Sequence, residues 1–167
     1  MFTISEIVEF AIRIEENGQK IYRDALERAS DPTLISLLRW LAHEESEHVR
    51  WFSDLKGTVT DEAVDIQVGE MGRSLLLGIV GDQTFSLKER DLSTIAEAKE
   101  LLKIALDFEK DTVIFYEMMG AFIQEDTAMA KLNQIIQEEN RHIDMLTEFL
   151  HEGNVRLPGP APNMKGQ

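Results

Sequence analysis

Six residues carry types and spacings suited to binding cations. They are Glu15, Glu45, His48, Glu109, Glu139 and His142. A shift of 94 positions carries Glu15 onto Glu109, Glu44 and Glu45 onto Glu138 and Glu139, and His48 onto His142. The same shift carries Tyr22 onto Tyr116, Ala11 onto Ala105 and Leu38 onto Leu132. The stretch "EESEH" at 44–48 is thus echoed by "EENRH" at 138–142. In each half a lone Glu is followed, after 30 positions, by Glu-x-x-His. Residues i and i+3 share one helix face, so Glu-x-x-His offers an oxygen and a nitrogen ligand to one region.

Four helical segments must position these groups. The first is expected from Ser5, as N-cap, to Ala29, and the second from Pro32 to Lys56 with a stop near Gly57. Pro suits a first helical position. The third is expected from Ser93, a further cap, to Phe122, and the fourth from Asp126 to His151 with Gly153 as its stop. Each of about 25 residues spans roughly 38 Å at ~1.5 Å per residue. Short links make each pair an antiparallel hairpin, and a long crossover at about 57–92 joins the two. The expected fold is all-α, a four-helix bundle occupying residues 1–153. The crossover carries an apolar patch, Ser74 to Val80, read as a minor helix. A Pro- and Gly-rich tail at 154–167 should be irregular.

The ligand-type residues sit in phase with the apolar seams. In the second helix the series Leu34, Leu38, Leu41, Phe52, Leu55 is interrupted by Glu45 and His48. In the fourth, Ala128, Leu132, Ile135, Leu146, Phe149 is interrupted by Glu139 and His142. Glu15 fills the gap in Val8, Ala11, Gly18, Tyr22, and Glu109 the gap in Leu102, Ala105, Thr112, Tyr116. Midpoints of antiparallel helices meet, so the six side chains should converge in the core. Four buried carboxylates without counter-charge would cost several kcal/mol or take up protons. Two divalent cations balance them while the imidazoles stay neutral. Oxygen-rich ligation with one imidazole per metal suits iron or manganese. Zinc can bind in vitro, although its tetrahedral sites use fewer carboxylates.

The composition narrows the partners. The net charge is −14, from 31 acidic and 17 basic residues, which argues against nucleic acid and anionic membranes. There is no cysteine, so thiolate metal sites and Cys nucleophiles are excluded. The opening "MFTISEIVEF" has no basic n-region or cleavage pattern. No apolar run reaches the ~18 residues of a membrane span. A soluble cytoplasmic protein is expected. His43 and His151 have no repeat partner and read as surface residues; Met118, Met119, Met129 and Met145 read as core filler, and Trp40 and Trp51 as packing or interface groups.

At Glu15, Glu45/His48, Glu109 and Glu139/His142 the chain resembles the ferritin-like di-iron carboxylate proteins, in their rubrerythrin and bacterioferritin branch. The arrangement of two lone Glu and two Glu-x-x-His motifs is that of the class. The resemblance covers the four helices and implies two iron ions. It implies that Glu45 and Glu139 bridge them, with Glu15 and His48 completing one shell and Glu109 and His142 the other. It places Glu44 and Glu138 as acidic partners of the ligand imidazoles on the opposite helix pair. Tyr22 matches a tyrosine close to the metals in similar sites, with Tyr116 its repeat mate; ordinary core packing is the other reading of both. Rubrerythrins carry a further Glu one turn after the third-helix ligand, where this chain has Thr112, so the site is nearer the symmetric bacterioferritin pattern. The implied activity is reduction of hydrogen peroxide or oxygen at the di-iron centre. Electrons would come from an external donor such as a separate rubredoxin-like protein, in a homodimer. The alternatives are a ferroxidase or iron-binding protein without multiple turnover, and a metal-stabilised structural domain.

Overall fold

The structure is a computed structural model that describes residues 2–59, 63–64, 95–123, 125–154 and 156–157. Four long helices dominate it: α1 Ile4–Leu26, α2 Pro32–Lys56, α3 Ile95–Met119 and α4 Asp126–Glu152. A 3-10 turn, Gly120–Phe122, extends the end of α3. Two short strands, β1 Phe2–Thr3 and β2 Ala63–Val64, pair antiparallel with Phe2 opposite Val64. The architecture is the expected all-α four-helix bundle, with that two-residue ladder added at one end.

The helix boundaries follow from local chemistry. The α1 cap is Thr3, not Ser5. Thr3 Oγ1 accepts from the Glu6 amide at 3.1 Å, and the Thr3 amide donates to Glu6 Oε2 at 2.8 Å. A capping box needs an acidic or amide side chain three residues on. "TISE" supplies it, whereas the residue three beyond Ser5 is Val8. α1 ends at Leu26 rather than Ala29, as the Glu27 and Arg28 amides turn back to the Arg23 and Ala25 carbonyls. Asp31 Oδ1 caps α2 by accepting from the Leu34 amide at 2.8 Å, with Pro32 at the first position. α4 is capped by Gly153, whose φ of 70° is left-handed and whose amide donates to the Phe149 carbonyl at 2.8 Å. The expected Ser93 cap, the 74–80 minor helix and most of the 154–167 tail lie outside the described residues.

α1 packs along α2 and α3 along α4, and the hairpins meet chiefly along α1 and α3. The core is Leu, Ile and Phe from all four helices, including Leu37, Leu38, Leu41, Phe52, Phe115, Leu132 and Ile135. Each such side chain contributes about 1.5–3 kcal/mol by leaving water. That apolar surround fixes the level at which the polar residues are held. His43 and His151 are exposed. Met119 and Met145 are buried in the core, and Met118 packs against it. No helix among the described residues is long and apolar enough to cross a membrane.

Candidate metal centre

The six residues converge as the repeat predicts. Glu15 comes from α1, Glu45 and His48 from α2, Glu109 from α3, and Glu139 and His142 from α4. All are at most 2% exposed. Glu139 lies between the two imidazoles. His48 Nδ1 is 2.8 Å from Glu139 Oε1, and His142 Nδ1 is 2.9 Å from Glu139 Oε2. His48 Nδ1 is also 3.4 Å from Glu15 Oε2. His142 Nδ1 is 3.3 Å from Glu45 Oε1 and 3.6 Å from Glu109 Oε1. The rings stack loosely, with centroids 6.0 Å apart and planes 24° from parallel.

Two groups able to hold a metal ion emerge: Glu15, Glu45, His48 and Glu139, and Glu45, Glu109, Glu139 and His142. Glu45 and Glu139 belong to both. Within each group the candidate ligand atoms lie within 4.8 Å of one another.

Among the described residues, eight buried side-chain atoms lack a hydrogen-bond partner, and all eight belong to these six residues. They include both Glu139 oxygens, Nδ1 of both histidines, Glu15 Oε2, Glu45 Oε1 and Glu109 Oε2. Buried polar atoms are nearly always paired, so such a concentration needs an explanation. Carboxylate oxygens and imidazole nitrogens aimed at shared points fit metal ions and fit no apolar ligand.

The surroundings hold the cluster in place. The Tyr22 hydroxyl, on α1, donates to Glu109 Oε1 on α3; the Tyr116 hydroxyl, on α3, donates to Glu15 Oε1 on α1. Each lone carboxylate is thus oriented by the tyrosine of the other hairpin. Gly18 allows close approach on α1: a Cβ there would lie 3.1 Å from Glu45 Oε2 and 3.2 Å from the Phe108 ring. Thr112, its repeat mate, is buried, and its hydroxyl donates to the Phe108 carbonyl at 3.0 Å. Its side chain bonds its own helix.

The acidic partners behave unequally. Glu138 Oε2 lies 3.1 Å from His48 Nε2, and the Gln134 amide donates to Glu138 Oε1 at 2.8 Å. The expected counterpart, Glu44 on His142, is not formed. His142 Nε2 has no hydrogen-bond partner, and the Trp40 ring stands edge-on to the imidazole, 5.2 Å between centroids. The shift of 94 pairs Trp40 with Gln134, so the anchor that Glu138 has is replaced by an indole beside Glu44. Comparing those two positions across the repeat would have found this.

Without metal, protons supply the missing positive charge. Burial, then the neighbouring carboxylates Glu15 and Glu139, pushes Glu45 well above the usual carboxylate range. Burial and Glu139 push Glu109 up to about 7, against the pull of His142. Burial would also raise Glu139, but His142 and His48 on either side hold it well below the usual range. Burial disfavours charge on the histidines, yet Glu15 and Glu139 raise His48, and Glu139 and Glu109 raise His142. Burial and Glu109 push Tyr22 up, and burial and Glu15 push Tyr116 up, so both phenols stay protonated donors.

The family model of rubrerythrin matches residues 6–150. The chain belongs to the rubrerythrin family. That span takes in all six clustered residues and both tyrosines. The chain is similar in structure to a Thermotoga maritima protein described as ferritin-like diiron-carboxylate. The TM-score is 0.68 and the identity 23%, covering 92% of this chain and 97% of the other. A hypothetical protein from Pyrococcus furiosus is similar at a TM-score of 0.68 and 18% identity, covering 93% of this chain and 94% of that one. No curated protein sequence is significantly similar to the chain. The 167 residues contain no cysteine, so none of them offers a thiolate ligand.

Proposed function

We propose that the six residues hold two iron ions and that the protein reduces hydrogen peroxide or oxygen with electrons from an external donor. Glu45 and Glu139 serve both metals, Glu15 and His48 complete one set of ligands, and Glu109 and His142 the other. The observation that supports the metal site is the set of eight buried atoms without a hydrogen bond among the described residues, all from these six side chains; the reduction follows from the family the chain belongs to. Bound there, the iron pair would supply the two electrons that convert a peroxide, with two protons, into two waters.

The chain's own residues prepare that chemistry. Tyr22 and Tyr116 hold one oxygen of Glu109 and of Glu15, leaving the second oxygen of each free to face a cation. Glu138 turns the His48 ring so that Nδ1 faces the cluster. The Leu and Phe shell excludes water and lowers the local dielectric, which strengthens each ligand's hold on a cation. None of the 167 residues is a cysteine, so the electron donor lies outside them.

The test is multiple turnover. The iron-loaded protein, given peroxide and a chemical or protein reductant, should consume many equivalents of peroxide per centre. Thr112 favours a second reading, because its hydroxyl is committed to the Phe108 carbonyl and adds no carboxylate to the cluster. That reading is a ferroxidase or iron-binding protein that oxidises ferrous ion without cycling. A single oxidation that reductant cannot restart would select it and defeat the first.

A further inference from the structure

The repeat makes the two halves of the cluster chemically equivalent, but their supports differ. On one side, Gln134 anchors Glu138, and Glu138 holds the outer nitrogen of His48. On the other, the outer nitrogen of His142 is buried without an acceptor, and Trp40 stands against the ring. The tyrosines do not offset this, since Tyr22 and Tyr116 treat the lone carboxylates alike. A carboxylate on the outer N–H fixes the imidazole's orientation and raises its basicity as a ligand. Loss of such a partner costs roughly 10- to 100-fold in metal affinity.

We propose that the two metal positions are unequal, the Glu15/His48 position filling first and tightly, the Glu109/His142 position filling second and releasing its ion readily. Glu138 is a positioning residue acting through His48, and Trp40 keeps Glu44 from doing the same for His142. This rests on the two-metal reading of the cluster. The consequence is an asymmetry in exchange: one ion is retained while the other exchanges with solution.

The experiment is an anaerobic calorimetric titration of the metal-free full chain with ferrous ion, repeated with Co(II) followed by visible absorption. The wild type should show two steps separated by about 10- to 100-fold. Glu138→Gln should weaken the tighter step by about 10-fold and alter the spectrum of the first Co(II) equivalent only. Gln134→Ala should act in the same direction. Glu44→Gln should leave both steps unchanged, and Trp40→Gln should narrow the gap by tightening the weaker step. Two equal steps in the wild type would overturn the proposal while leaving the two-metal reading intact. So would a Glu44→Gln effect as large as that of Glu138→Gln, or an unchanged gap in Trp40→Gln. Absence of any binding would overturn the two-metal reading and this proposal together.

Discussion

Tyr22 on α1 donates its phenolic hydrogen to Glu109 on α3, so a residue of the first hairpin orients a carboxylate of the second. The bond crosses 87 positions of sequence and sits wholly within the core. Tyr22→Phe keeps the ring and removes the donor. It leaves a buried carboxyl oxygen unpaired, which costs about 1–3 kcal/mol. Denaturant titration of the metal-free protein should show that loss. Tyr116→Phe should give a similar value through Glu15. A neutral result for both would mean that these hydroxyls do not hold the carboxylates.

The cluster's charge balance predicts a pH dependence with a definite sign. Glu45 and Glu109 have folded-state values above the unfolded one, with Glu109 at about 7. Their stabilisation of the metal-free protein is full below the unfolded value of ~4.5 and is lost as pH rises through the folded values. The raised histidines act in the same sense, from ~6.5 upward. Glu139, lowered, acts oppositely: its contribution is present above ~4.5 and is lost on acidification. Metal must displace the bound protons. Ferrous ion binding near pH 6.5 should therefore release protons, measurable as a buffer-dependent binding enthalpy, and apparent affinity should rise with pH from 5.5 to 7.5. Binding without proton release would contradict this charge balance.

Gly18 sets two effects against each other. Alanine there gains about 1 kcal/mol of helix propensity. Its Cβ, however, would press Glu45 Oε2 at 3.1 Å, and Glu45 belongs to both ligand groups. The metal-free Gly18→Ala protein should stay within about 1 kcal/mol of wild type. The metal-loaded protein should lose a larger share of its metal-induced rise in melting temperature. Equal metal stabilisation in both would show that Glu45 can yield without cost.

Much of this was legible before any coordinates. Glu45 and His48 occupy the missing steps of an apolar series, and a core helix leaves polar groups there only when they have work to do. The repeat then located their mates, and Pro32 and Gly153 marked helix ends by well-defined local rules, while the Asp31 cap emerged only in the structure. What was not legible depended on how the hairpins dock. The crossing of Tyr22 to Glu109 and Tyr116 to Glu15 is set by contact between chain-distant helices. So are the stand of Trp40 on His142 and the pairing of Phe2–Thr3 with Ala63–Val64. Thr3 is a different case: its capping box is legible in "TISE", and Ser5, three residues before Val8, has no such partner.

A two-metal site formed by Glu15, Glu45, His48, Glu109, Glu139 and His142 stands or falls on the metal content of the protein. Elemental analysis of the purified protein, beside Glu45→Ala and Glu139→Ala, tests it most directly. The wild type should carry about two iron ions per chain once loaded with ferrous ion and desalted, as a Glu from each of two helices and Glu-x-x-His from the other two provide for. Each variant, losing a ligand common to both positions, should retain little or none. Iron content unchanged in both variants would contradict the claim.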